Sequence, residues 1–321
     1  MNHERFSAHK LNNFIQSALL LGGMAMLVGL LGWLIAGAHG VVWAVIIGAV
    51  ILLLGPRASP RLALKLYGAR PLHRTEAPGL YRLLDVLAER ARLPRIPELY
   101  YVPTPAMNAF AVGKRREPII SVTDGLLRNL TSRELTGVLA HELSHVRSND
   151  MWVMTLADTV SRLTRWLSLM GQLLLFINLP LMLFGGGGIS WLAILLLIFA
   201  PTISVLLQLA LSRTREFDAD LDAVQITGDP IGLASALRKL DHYQGGLLRR
   251  LLMPQRRAPD SWILSTHPST EERIRRLAEL AETQPPAPEP IGPSIEDFFK
   301  LLGQQPASRR LPWWLFSRLE H

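Results

Sequence analysis

Apolar positions in this chain occur in two arrangements, unbroken blocks and helical stripes, which call for different surroundings. Residues 11–56 contain a single titratable side chain, His39, and residues 166–212, 47 in all, contain none. A Gly37-Ala38-His39-Gly40 turn divides the first block into segments at about 14–36 and 40–55. The second segment covers only roughly 22 Å at 1.5 Å per residue, so it must borrow flanking residues or thin the bilayer. Four consecutive glycines at 185–188 divide the second block into 166–184 and 189–211, with Pro180 and Pro201 inside them. Membrane helices tolerate such prolines as kinks because neighbouring helices can satisfy the freed carbonyls. Each block therefore reads as a hairpin of membrane spans. A pair of buried helices in a soluble core is the alternative for the second, but a core that large should show polar punctuation.

Stripes take over between the blocks. Thr131-Ser132-Arg133-Glu134 has the form of a capping box, and Leu135, Val138, Leu139, Leu143 and Val146 follow at helical spacing, which predicts a helix over 131–149. Leu80, Leu83, Leu84, Val86 and Leu87 mark a supporting amphipathic helix over 76–93. Pro118-Ile119-Ile120-Ser121-Val122 reads as a short apolar strand before an Asp124-Gly125 turn. The expected architecture is a mainly α membrane protein with four transmembrane helices and an α+β domain containing a small sheet. Five segments result: 1–56 with the first hairpin, 57–165, 166–211 with the second hairpin, 212–283, and 284–321. The last opens on a Pro-rich linker, 284–290, and closes on Arg309-Arg310-Leu311-Pro312-Trp313-Trp314-Leu315-Phe316-Ser317-Arg318. Those aromatics between arginines suit a bilayer interface, or they dock on the rest of the protein.

Composition agrees with a membrane location. The chain has 321 residues, 49% of them hydrophobic, and a mean hydropathy of +0.22, too apolar for an ordinary soluble protein. Eleven Lys and Arg flank the spans: Arg5, Lys10, Arg57, Arg61, Lys65, Arg70, Arg74, Arg162, Arg165, Arg213 and Arg215, while both hairpin tips have none. The positive-inside rule then places both termini and the 131–149 helix in the cytoplasm. A net charge of +8 suits anionic lipid headgroups. Nucleic acid is not expected as a partner, because the basic residues hug span ends. The absence of cysteine rules out disulfides, thiol catalysis and Cys-ligated zinc, and suits a reducing compartment. The first hydrophobic block lacks a convincing cleavage site and is followed at once by a second span, so it reads as an anchor.

The chemistry lies on the capped helix. His141-Glu142-Leu143-Ser144-His145 sets two histidines four residues apart, one above the other on the same face, so both rings can converge on one zinc ion. Glu142 then reaches a water at that ion and serves as its proton acceptor. A histidine six residues beyond the second is the third ligand in one group of such peptidases, but Met151 stands there. A carboxylate on another helix is the alternative. Ser212-Arg213-Thr214-Arg215-Glu216-Phe217-Asp218-Ala219-Asp220-Leu221-Asp222-Ala223 offers Glu216 as ligand, with Asp220 one turn on to accept the other ring N–H of a histidine. An acidic solvated face is the competing reading of that segment.

These residues resemble the HtpX-type integral-membrane zinc metalloproteases, grouped with the CAAX prenyl-protein proteases among the gluzincins. The likeness rests on His141 to His145, on the Ser212–Ala223 segment, on Asn108-Ala109-Phe110 after Pro103 and Pro105, and on Thr266-His267-Pro268 with Glu272-Arg273-Ile274. It covers roughly residues 10–281. It implies a cytoplasmic gluzincin-type domain with one zinc per chain, and an endopeptidase that cuts misfolded or damaged membrane proteins, or other unfolded polypeptides, at the bacterial inner membrane. It nominates His267 and Arg273 as oxyanion donors. Such peptidases bind substrate as an added strand; Asn108 to Phe110 is either that edge or a packed turn. A CAAX-type protease and a non-catalytic zinc-stabilised scaffold are the rival functions. Four spans count against the first, and Glu142 beside an open coordination position against the second.

Overall fold

The computed structural model describes residues 3–54, 61, 64, 65, 68–183, 191–251 and 270–282. The glycine run at 185–188, the His267-Pro268 pair and the 284–321 segment lie outside the described residues.

Helix α1 (His3–Leu54) is interrupted by non-helical backbone at Ala36 and Gly37, the latter at φ +58°. Only glycine takes that conformation without strain. The break folds the helix back on itself. A Cβ on Gly32 would meet the Gly40 carbonyl oxygen at 2.7 Å, and Val28 clusters with Ala44. Both pairs, 32/40 and 28/44, are centred on residue 36, as an antiparallel hairpin requires. The turn is tighter than the expected Gly37–Gly40 loop, because two glycines let the arms touch one turn from the bend. Asn13, Ser17, Met24, Leu27, Val28 and Leu31 form the buried stripe of the first arm, while Phe14, Leu19 and Met26 are 66 to 75% exposed. A bilayer covers such a face; water does not. Among the described residues, two helical stretches are long and apolar enough to cross a membrane, Leu11–Val50, which contains the bend, and Leu195–Thr227.

Helices α2 (Pro78–Arg90), α3 (Asp124–Asn129) and α4 (Ser132–Ser148) and strands β1 (Arg70–Pro71), β2 (Glu98–Val102), β3 (Ala109–Lys114) and β4 (Glu117–Thr123) follow. The sheet order is β1-β2-β4-β3, with β2 and β4 parallel and β3 antiparallel to β4. The structure extends one expectation and changes another. The 118–122 strand is interior, since Ile119, Ile120, Ser121 and Val122 are all buried, and a run buried on both faces belongs inside a sheet. Asp124-Gly125 starts α3 instead of making a turn, because Thr123 caps it by accepting the Leu126 N–H. Asn108 leads into β3, whose first residues are Ala109 and Phe110 and which is an outer strand of the described sheet.

Helices α5 (Asp150–Leu183), α6 (Trp191–Thr227), α7 (Pro230–Leu251) and α8 (Thr270–Glu282) complete the described chain. Helix α5 begins well before the uncharged block, passing through Asp158 and Arg162, whose side chains pair at 2.8 Å. In α6, Pro201 lacks the N–H that would bond the Leu197 carbonyl. Ser168 Oγ of α5 donates to that carbonyl, and Gln172 Nε2 does so at 3.4 Å. The orphan is therefore satisfied by a neighbouring helix, as expected of a membrane proline.

Candidate metal centre

Packing sets the rotation of α4. Thr131 and Glu134 form the capping box at its start, and Glu134 also accepts from Ser235 and from Lys239 on α7, both at 2.7 Å. Burial would raise the Glu134 carboxyl, but Lys239, Thr131 and Ser235 outweigh it and hold the group below its ordinary value. A Cβ on Gly137 would lie 3.0 Å from the Leu233 backbone, so α4 and α7 approach so closely there that any side chain would force one of them to shift. With Leu135, Leu139, Leu143 and Val146 in the core, the helix must turn His141, Glu142 and His145 towards α6.

The three candidate ligands converge there. His141 Nε2 lies 3.2 Å from His145 Nε2, and Glu216 oxygens lie 3.3 Å from His141 Nε2 and 3.6 Å from His145 Nε2. Ligands about 2.0–2.1 Å from one tetrahedral ion stand about 3.3–3.4 Å apart; the two ring nitrogens are close to that spacing, and one Glu216 oxygen faces each ring, Oε2 towards His141 and Oε1 towards His145. Both rings point the correct nitrogen inward. His141 Nδ1 is 3.0 Å from Asp220, and His145 Nδ1 is 2.8 Å from Asp150. Each carboxylate can accept a hydrogen bond from Nδ1–H, the tautomer that leaves the Nε2 lone pair for a metal. The acidic-face alternative fails, because Glu216, Asp218, Asp220 and Asp222 are all buried. Although burial disfavours the charged ring, Asp220 and Glu216 pull the His141 pKa up to about 10.

Asp150 was not legible as a partner of His145. Asn149 caps α4 in the left-handed conformation, φ 57° and ψ 34°, and so turns the chain to bring Asp150 back against the second histidine. Asn after a helix and Asp opening the next is the signal that could have found it.

Arg273 of α8 is 3% exposed. It donates to both Asp220 oxygens at 2.7 Å and pairs with Glu216 at 2.8 Å. Burial opposes its charge, but Asp220, Glu216 and Glu142 outweigh that and raise its pKa. Its guanidinium is thus engaged with the candidate ligand Glu216 and with Asp220, the partner of His141. Glu142 Oε2 accepts the Ala111 N–H of β3 at 3.0 Å, which ties the expected proton acceptor to the edge strand. Asn108 is bound to β4 through Thr123, whose N–H and Oγ donate to the Asn108 carbonyl at 3.1 and 2.9 Å. By alternation, the main-chain groups of Ala109, Ala111 and Gly113 face the open edge.

The profile of peptidase family M48 matches residues 74–281. A protein named Protease HtpX homolog from Aquifex aeolicus is 38% identical over 265 residues, 78% of this chain and 87% of its own length. Its namesake from Burkholderia ambifaria is 34% identical over 292 residues, 84% of this chain and 98% of its own. Among solved structures, Ste24p of S. mikatae aligns at a TM-score of 0.47 and 18% identity, covering 84% of this chain and 67% of that one. By the extent of the profile and of these relatives, the chain belongs to peptidase family M48 and is a membrane metalloprotease.

Proposed function

We propose that the protein is a zinc endopeptidase with one zinc ion per chain, held by His141, His145 and Glu216. Its substrates in this reading are misfolded or damaged membrane proteins, cut on the cytoplasmic side of a bacterial inner membrane. The observation that carries the reading is the convergence of His141 Nε2, His145 Nε2 and the Glu216 carboxylate, 3.2 to 3.6 Å from one another, with each Nδ1 held by its own carboxylate. A zinc ion held there would supply Lewis acidity, which polarises a scissile carbonyl and brings the pKa of a water to roughly 7.

Glu142 takes the proton of the attacking water and passes it to the leaving amine. Its bond from the Ala111 N–H keeps the carboxylate beside the strand on which substrate lies. Substrate pairs with the outward main-chain groups of β3, those of Ala109 and Gly113 and the Ala111 carbonyl, beside Asn108 and Phe110, so main-chain bonds hold many sequences alike. Asp220 and Asp150 orient the two rings. Arg273 acts as a positioning residue through Asp220 and Glu216, and His267 remains the oxyanion donor implied by resemblance. Four spans, two per hairpin, carry this site.

The test is proteolysis of a denatured membrane protein by purified protein, wild type against Glu142→Gln, with metal content measured on both. Glu142→Gln is expected to retain one zinc and lose roughly 10² to 10⁴ in turnover. A chelator should abolish the wild-type activity. Equal turnover in the two would remove Glu142 from the reaction; an inert wild type that holds zinc would favour the scaffold.

A further inference from the structure

A chain of buried polar contacts leaves the metal centre at His145 and ends on the first apolar helix. His145 Nδ1 meets Asp150 Oδ2 at 2.8 Å. The other oxygen of Asp150 accepts from Arg215 Nε at 2.7 Å, and Arg215 donates to Asp218 Oδ2 at 2.8 Å. Asp218 Oδ1 accepts from Asn13 Nδ2 at 2.6 Å across 205 positions of sequence. Asp150, Asp218 and Asn13 are all buried, and Arg215 has a side-chain exposure of 13%.

From this geometry we infer that Asn13, Asp218 and Arg215 are positioning residues for His145, acting through Asp150, so that the seating of the first apolar helix sets how well the ring is presented to a metal. The inference rests on the metal reading above. Its physical basis is that a carboxylate can orient an imidazole only if it is itself held. Arg215 fixes one Asp150 oxygen, and Arg215 is in turn kept in place by Asp218. Asn13 is the member contributed by α1. It occupies the helix's buried stripe, where a polar side chain costs stability unless bonded. Ser17, one turn further along that stripe, is also buried and is not part of the chain of contacts.

The measurement is zinc affinity of the purified full-length protein by competition with a chromogenic chelator, alongside thermal unfolding of each variant. Asp150→Asn should weaken binding by about 10- to 100-fold, the usual effect of losing a ligand's partner. Asn13→Leu should weaken it by about 3- to 10-fold, Asn13→Gln should recover most of that, and Ser17→Ala should leave it unchanged. In an Asp150→Asn background, Asn13→Leu should cost nothing further, because the connection is already cut. A merely structural Asn13 would lower the unfolding temperature without moving the affinity, and that result would overturn the inference. So would an Asn13→Leu effect that persists undiminished beside Asp150→Asn. If Asn13→Leu does not fold, Asp218→Asn preserves shape and is expected to show the same loss; an unchanged affinity there overturns the inference. Absence of zinc from the wild type would overturn the metal reading instead.

Discussion

At the scale of single residues, the centre is governed by which proton each ring nitrogen carries. His141 has its pKa lifted to about 10 by Asp220 and Glu216, so at neutral pH its ring holds a proton that a metal must displace. The sign follows directly: raising the pH removes the competitor and tightens binding. Zinc uptake at pH 7 is expected to release about one proton, and apparent affinity to rise by close to tenfold per pH unit between about 7 and 9. Calorimetry in buffers of different ionisation enthalpy checks this, and an affinity independent of pH would contradict it. The histidines, Glu142, Glu216 and Asp220 could be read from spacing because helical geometry alone puts positions four apart on one face. Asp150 could not, since its approach to His145 depends on a single left-handed residue, Asn149. Arg273 came from resemblance, and its contacts depend on how a distant helix packs.

At the scale of elements, the strongest sequence signals survived where the physics is local. The capping box at Thr131 begins α4 as expected, and the break in α1 falls beside the glycine that permits it. Strand order was not legible, because which strand lies inside a sheet depends on partners far along the chain. The Ile119-Ile120-Ser121-Val122 run nevertheless had a hint in its lack of alternation. Helix α6 invites a direct test of how its proline is tolerated. If Ser168 satisfies the carbonyl that Pro201 orphans, Ser168→Ala should destabilise the protein by about 0.5–1.5 kcal/mol. In a Pro201→Ala background, where the helix can bond that carbonyl itself, the same change should cost less. Unfolding in detergent compares the two, and equal costs would show that the serine acts otherwise.

At the scale of the whole molecule, the apolar blocks were legible, but the helices that contain them run further. Helix α5 starts at Asp150 and α6 ends at Thr227, because paired charges such as Asp158 and Arg162 let a helix continue past the edge of an apolar stretch. The proposed orientation rests on eleven flanking Lys and Arg. The natural chain has no cysteine, so introduced ones report cleanly. A cysteine replacing His39, beside the α1 bend, is expected to react with an impermeant maleimide from outside intact cells. One replacing Arg116, at the β3–β4 tip, should react only after lysis. The reverse pattern would put proteolysis in the other compartment.

Helix α6 is unbroken from the apolar residues around Leu209 to Glu216 and beyond, which under the proposed topology would make the protein a depth gauge. Glu216 stands four residues past Ser212, about 6 Å along the helix axis at 1.5 Å per residue. A rigid rod cannot shorten that interval. Under the proposed topology, polypeptides are severed at a level set by the enzyme, wherever their own sequences would otherwise favour cutting. Cleavage sites mapped in substrates with spacers of increasing length beside a membrane anchor should therefore stay at one distance from the bilayer, while sites that moved with the spacer would show that the reach is adjustable.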